Sequence, residues 1–73
     1  MGRKEELLRK FGKRLTRLRK QKGLSVRELA IASRLETSKV QRIEDGEINL
    51  LFTTILALSR GLEMAPVELL RGL

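Results

Sequence analysis

Thr37, Ser38, Gln41 and Arg42 are the residues whose types and spacing point most directly to chemistry, and that chemistry is hydrogen bonding. They fall on the outward face of a short helix whose inward positions are Val40 and Ile43. Two hydroxyls, a carboxamide and a guanidinium offer donors and acceptors in quantity, but no nucleophile beside a base. Cysteine, histidine, tyrosine and tryptophan are all absent. No disulfide framework, thiolate zinc site or Ser/His/Asp triad can therefore be assembled, and no metal or cofactor is expected. The pattern favours recognition over catalysis. A plainer reading stands beside it: Arg42 as a solvated surface arginine, and Thr37 and Ser38 as helix caps, because Glu36 is a poor N-cap residue.

Charge says what would be recognised. Sixteen Lys and Arg against nine Asp and Glu give a formal net charge of +7. Residues 1–22 carry ten basic and two acidic side chains, the remainder six and seven. Such a basic end is either a solvated surface or an attractor of phosphate, whose neutralisation releases condensed counterions. Seventy-three residues allow one domain with a modest core, too small to add a deep polar cleft. The apolar-rich stretch from Ile48 to Leu58 is too short to span a bilayer and contains Asn49, Thr53 and Thr54. Gly2 follows Met1, but Glu6 stands where a myristoylation signal has Ser or Thr. The expectation is a soluble cytoplasmic protein with no cleaved signal and no membrane contact.

The elements that must position these residues follow from periodicity and punctuation. Leu8, Phe11, Leu15 and Leu18 form one apolar stripe, predicting a first helix from about Lys4 to Gln21 that Gly23 ends. Ser25 and Glu28 form a capping box, flanked by Leu24 and Leu29 as a hydrophobic staple. Val26, Leu29, Ala30 and Ser33 line the inner face of that second helix, with Ala30 and Ser33 small enough for close approach. A break at Arg34 and Leu35 precedes a third helix, roughly Thr37 to Asp45, closed by Gly46. A fourth, about Phe52 to Gly61, is expected to bury Phe52, Ile55 and Leu56. Pro66 suits the first turn of a fifth, with Leu69 and Leu70 facing the core. The expected fold is all-α, a compact five-helix domain.

Two helices of eight to nine residues joined by a three-residue turn make a recognisable unit. The stretch LRKQKGLSVRELAIASRLETSKVQRIEDG, Leu18 to Gly46, resembles the phage-repressor and Cro-like (XRE-type) helix-turn-helix domains. The matching features are Leu18-Arg19, Gly23-Leu24-Ser25, Glu28-Leu29-Ala30, Val40, Ile43-Glu44 and Gly46. FTTILALSRGLEMAPVELL, Phe52 to Leu70, is similar to the fourth and fifth helices of that family. The resemblance implies that residues 1–73 are one helix-turn-helix DNA-binding domain. Within it, 25–45 is the helix-turn-helix unit and 1–10 a basic extension of helix 1. It implies a transcriptional regulator, not an enzyme, whose third helix enters the major groove of operator DNA. Thr37, Ser38, Gln41 and Arg42 match groove-facing positions. There Arg42 suits guanine O6 and N7, and Gln41 suits adenine. Arg27 matches a phosphate-contacting edge at the start of helix 2, and Lys39 a phosphate or solvent position. Arg19 and Glu44 match a partly buried ion pair tying helix 1 to helix 3. Val26 stands where Gln is frequent. Arg34 and Glu63 replace glycines at two turns, which implies left-handed backbone at both, and Asp45 and Glu47 add negative charge near the phosphate-facing loop.

One such helix reaches too few base edges to single out a site, so a two-fold homodimer on duplex DNA is expected, with half-sites ~34 Å apart. Leu50, Leu51, Met64, Val67 and Leu73 exceed what a small core needs and are the expected interface. Alternatives within the resemblance are a restriction-modification controller or the antitoxin of a toxin–antitoxin pair. A protein-bridging module of the same fold, with a toxin or polymerase as partner, is a further alternative.

Overall fold

The computed structural model describes residues 2–73. Helix α1 spans Arg3–Gln21, α2 Val26–Ser33, α3 Thr37–Glu44, α4 Phe52–Gly61 and α5 Pro66–Leu70. No strand occurs among these residues. The all-α, five-helix expectation holds, and the predicted ranges of α1, α3 and α4 fall within one residue of the observed ones.

The punctuation works locally as its chemistry requires. After α1, Gly23 takes a left-handed φ of 74° and the Leu24 amide donates back to the Arg19 carbonyl at 3.1 Å. Ser25 Oγ accepts the Glu28 amide at 3.0 Å and the Glu28 carboxylate accepts the Ser25 amide at 2.8 Å, completing the capping box of α2. The Ser25 amide, and after it the Ser25 side chain, hold the Glu28 carboxyl below the ordinary carboxylate range. Arg34 closes α2 in the left-handed region, φ 58° and ψ 42°, and Glu63 follows α4 at φ 54°. Both non-glycine turn residues sit as the resemblance implied.

Phe11, Leu15, Leu29, Val40, Ile43, Leu58, Leu62 and Leu69 fill the core, so every helix contributes. Two close approaches set the helix packing. A Cβ on Gly12 would stand 2.7 Å from the Ile43 carbonyl oxygen, which lets α1 lie directly on the end of α3. A Cβ on Gly61 would strike Ser33, so α4 rests on the small inner face of α2. Close packing of this kind selects small residues at the contact, not large apolar ones.

That selection overturns part of the expected core. Phe52 is 72% exposed, and Leu56 is only half-buried. The inward face of α4 is Thr54, Leu58 and Ser59, with Ile55 at its margin. Leu70 is 43% exposed, leaving Leu69 as the buried leucine of α5. Leu8 and Val26 are half-buried at the edge of the core. Of the expected interface residues, Leu50 and Met64 pack partly against the domain's own core, whereas Leu51, Val67 and Leu73 are exposed.

Candidate nucleic-acid interface

Helix α3 is anchored from behind by a nearly buried ion pair. Arg19 Nε donates to Glu44 Oε2 at 2.6 Å and Arg19 Nη2 to Glu44 Oε1 at 3.0 Å, a two-pronged contact. Side-chain exposure is 11% for Arg19 and 4% for Glu44, so the pair is more buried than the resemblance implied. Thr16 Oγ1 adds a third bond to the same carboxylate at 2.9 Å, and Arg19 Nη1 donates to the Leu24 carbonyl at 2.8 Å. One guanidinium thus fixes the end of α3, the body of α1 and the entry to α2. Nothing in the sequence pattern singled out Thr16 or the Leu24 carbonyl.

With α3 fixed by Val40, Ile43 and Glu44, its opposite face is open. Thr37, Ser38, Gln41 and Arg42 are all exposed on it, and Lys39 is half-buried at its edge. Among the described residues, Thr37 and Ser38 make no side-chain hydrogen bond, and α3 starts without a side-chain cap. Their hydroxyls are therefore available to a ligand, and the capping reading of both falls. Gln41 Nε2 donates to Asp45 Oδ1 at 3.1 Å, one helical turn on. Arg42 Nε lies 3.9 Å from Glu47 Oε1, both side chains being about 60% exposed. The spacing of Gln41 and Asp45 was visible in the sequence, but the two acidic residues read there only as misplaced charge. Arg27 is exposed on the first turn of α2, beside the capping box.

The open face of α3 carries hydroxyl, carboxamide and guanidinium groups. No group of acidic, cysteine or histidine residues that could hold a metal occurs among the described residues. Nor, among them, is any helix long and apolar enough to cross a membrane.

The family profile described as a helix-turn-helix domain matches residues 10–71. Among solved structures, the restriction-modification controller protein C.AhdI from Aeromonas hydrophila is similar with a TM-score of 0.83 and 45% identity, over 85% of this chain and 94% of that one. The controller protein C.Esp1396I is similar with a TM-score of 0.82 and 28% identity, over 88% and 82%. The clp gene regulator ClgR from Corynebacterium glutamicum matches with a TM-score of 0.82 and 26% identity, over 88% and 68%. A search of curated protein sequences returned no significant match. The profile spans nearly all of a chain in which α2 and α3 sit as a two-helix unit presenting a polar face, and the chain belongs to the helix-turn-helix domain family.

Proposed function

We propose that this protein is a transcriptional regulator, not an enzyme, that binds operator DNA in the cytoplasm by laying α3 in the major groove. The observation that carries the reading is the state of Thr37 and Ser38. Both are exposed and unbonded at the head of a helix whose back is locked by Arg19 and Glu44. Gln41 and Arg42 lie one turn further along the same face, where major-groove geometry suits a carboxamide to adenine and a guanidinium to guanine. Arg27 and Lys39 flank that face and would take phosphates, setting register without reading sequence. Selection of bound sites from random duplexes, followed by a salt titration on the selected site, tests the reading. A defined motif should emerge, and log K should fall with log salt at a slope of about −0.9 per phosphate neutralised. Binding without sequence preference, or without salt dependence, would overturn it.

We further propose that the regulator acts as a two-fold homodimer. Leu51 and Val67 are exposed, and so is Phe52, which the sequence had placed in the core. Leu51 and Phe52 are the N-cap and first residue of α4, and Val67 lies on α5. Light scattering at tens of micromolar should report a dimer that Leu51→Glu and Val67→Glu dissociate. A monomer even with a palindromic site present refutes it.

Within this class, control of a restriction-modification system is the specific reading favoured by the 45% identity to a controller protein. A selected site lying upstream of a neighbouring endonuclease or methyltransferase gene would support it. A site elsewhere would leave only the general regulator.

A further inference from the structure

Much of the positive charge lies on the side of α1 turned away from α3. Gly12, Thr16 and Arg19 of α1 meet the end of α3 at Ile43 and Glu44. Arg14 lies two residues beyond Gly12, about 200° around a helix of 3.6 residues per turn. Its Nε donates to the Glu68 carbonyl of α5 at 2.8 Å. Lys10, Lys13, Arg14 and Arg17 line one open depression whose other bank is Arg71, Gly72 and Leu73. Spacings of three, four and seven keep the four α1 cations on a common face.

Few acidic groups offset these cations. Among the described residues Lys13 and Arg17 pair with no carboxylate, and Lys10 meets only Glu6, at 3.7 Å with both side chains more than half exposed. Glu68 is engaged by Arg71 at 2.6 Å. The surroundings of α3 differ in sign: residues 36–47 hold Lys39 and Arg42 against Glu36, Glu44, Asp45 and Glu47. The basic face is therefore separate from the recognition face. A helix with its side chains is about 10 Å thick, so a duplex seated on α3 is held off Lys13 and Arg17 by α1 itself.

We propose that this face of α1 binds the phosphate backbone of a second DNA duplex, so that an operator-bound protein holds two segments of DNA together. From Lys10 to Arg17 the helix rises about 10 Å. Phosphates succeed one another at about 3.4 Å of axis along a strand, so the row spans about three of them. Contacts of lysine and arginine to phosphate carry no sequence information, and the second duplex is of any sequence. The bridging half of the proposal rests on the operator reading of α3, whereas the phosphate site on α1 does not.

The test uses an immobilised duplex carrying the selected site, a labelled random-sequence duplex in solution, and three proteins: wild type, Lys13→Gln/Arg17→Gln and Gln41→Ala/Arg42→Ala. Wild type on the immobilised duplex should retain the labelled one, and retention should fall with salt. The α1 double variant should keep operator affinity within about threefold, the loss being one of long-range steering. Its retention of the second duplex should drop about tenfold or more, with a salt slope shallower by about 1.8 for two lost phosphate contacts. The α3 double variant should lose site preference yet still bind random duplex with the wild-type dependence on Lys13 and Arg17. Wild type that captures no second duplex overturns the proposal, as does an α1 variant that bridges as well as wild type. A selection yielding no motif would instead strike the operator reading. Direct binding of random duplex to wild type and the α1 variant then still decides the α1 site. Equal circular dichroism melting of the three proteins separates these effects from misfolding.

Discussion

Replacing Glu44 by alanine removes the acceptor for three side-chain hydrogen bonds, two from Arg19 and one from Thr16. The three groups left behind fare differently. Thr16 Oγ1 retains a bond to the Gly12 carbonyl at 2.9 Å, so its loss is small. Arg19 keeps one bond, to the Leu24 carbonyl, but its guanidinium is then a nearly buried cation with no counter-charge, its side chain being 11% exposed. Breaking a buried pair from one side costs roughly 3–5 kcal/mol. The surviving bond and residual solvent contact place this case near 3 kcal/mol. A chain of this length has a total stability of roughly 4–11 kcal/mol at ~0.05–0.15 kcal/mol per residue, so the loss is a large share. With neither Trp nor Tyr in the chain, far-ultraviolet circular dichroism during urea unfolding is the suitable probe. Arg19→Met alone should also destabilise, but Arg19→Met/Glu44→Ala should be less destabilised than the sum of the two changes. A loss below ~1 kcal/mol for Glu44→Ala, or strict additivity in the double mutant, would refute the argument that the pair pins α3.

Arg42→Ala should lower affinity for the selected site by about 1–3 kcal/mol and relax preference at one base pair, while random duplex loses little. Equal losses on both duplexes in a binding titration would make Arg42 a phosphate contact. Arg34→Gly should stabilise the domain by up to ~1 kcal/mol. Relief of the left-handed strain at φ 58° outweighs the added freedom of the unfolded chain, and a lower urea midpoint would contradict this. The lowered Glu28 carboxyl gives the capping box a pH signature. Its contribution is complete above the ordinary carboxylate range and is lost as pH falls through the lowered folded value. Glu28→Gln, which removes the titrating group, should therefore flatten the acid limb of a stability-against-pH curve, and an unchanged limb would count against it.

How far the sequence could be read depended on what kind of signal each feature left. Helix ends were legible because Ser25, Glu28, Gly23, Gly46 and Pro66 act on their own backbone within a few residues. The left-handed turns at Arg34 and Glu63 were legible only through resemblance, since neither residue type favours that conformation. The register of α4 was misread for a tertiary reason. Phe52, Ile55 and Leu56 form the more apolar stripe, but the approach of Gly61 to Ser33 turns the smaller Thr54 and Ser59 inward. Leu70 failed likewise, because a helix of five residues, Pro66–Leu70, has too little length for periodicity to separate two adjacent leucines. At the candidate site, the outward face of α3 followed from Val40 and Ile43 being apolar. The engagement of Gln41 by Asp45 and of Arg42 by Glu47 depends on rotamers, which no spacing rule fixes.

Those two engagements bear on how tightly any duplex is held. If α3 enters the groove as proposed, Arg42 and Gln41 must first give up their neighbours Glu47 and Asp45, whatever the sequence of the duplex. Exposed contacts of this kind are worth about 0.2–1 kcal/mol each, so releasing them weakens every incidental encounter by up to about fivefold per contact. At a matching site the proposed bonds to bases would have to exceed the same release. On the proposed reading this cost is common to matching and non-matching sequences, so the carboxylates beside α3 lower affinity throughout and leave the preference between sites to the base contacts themselves.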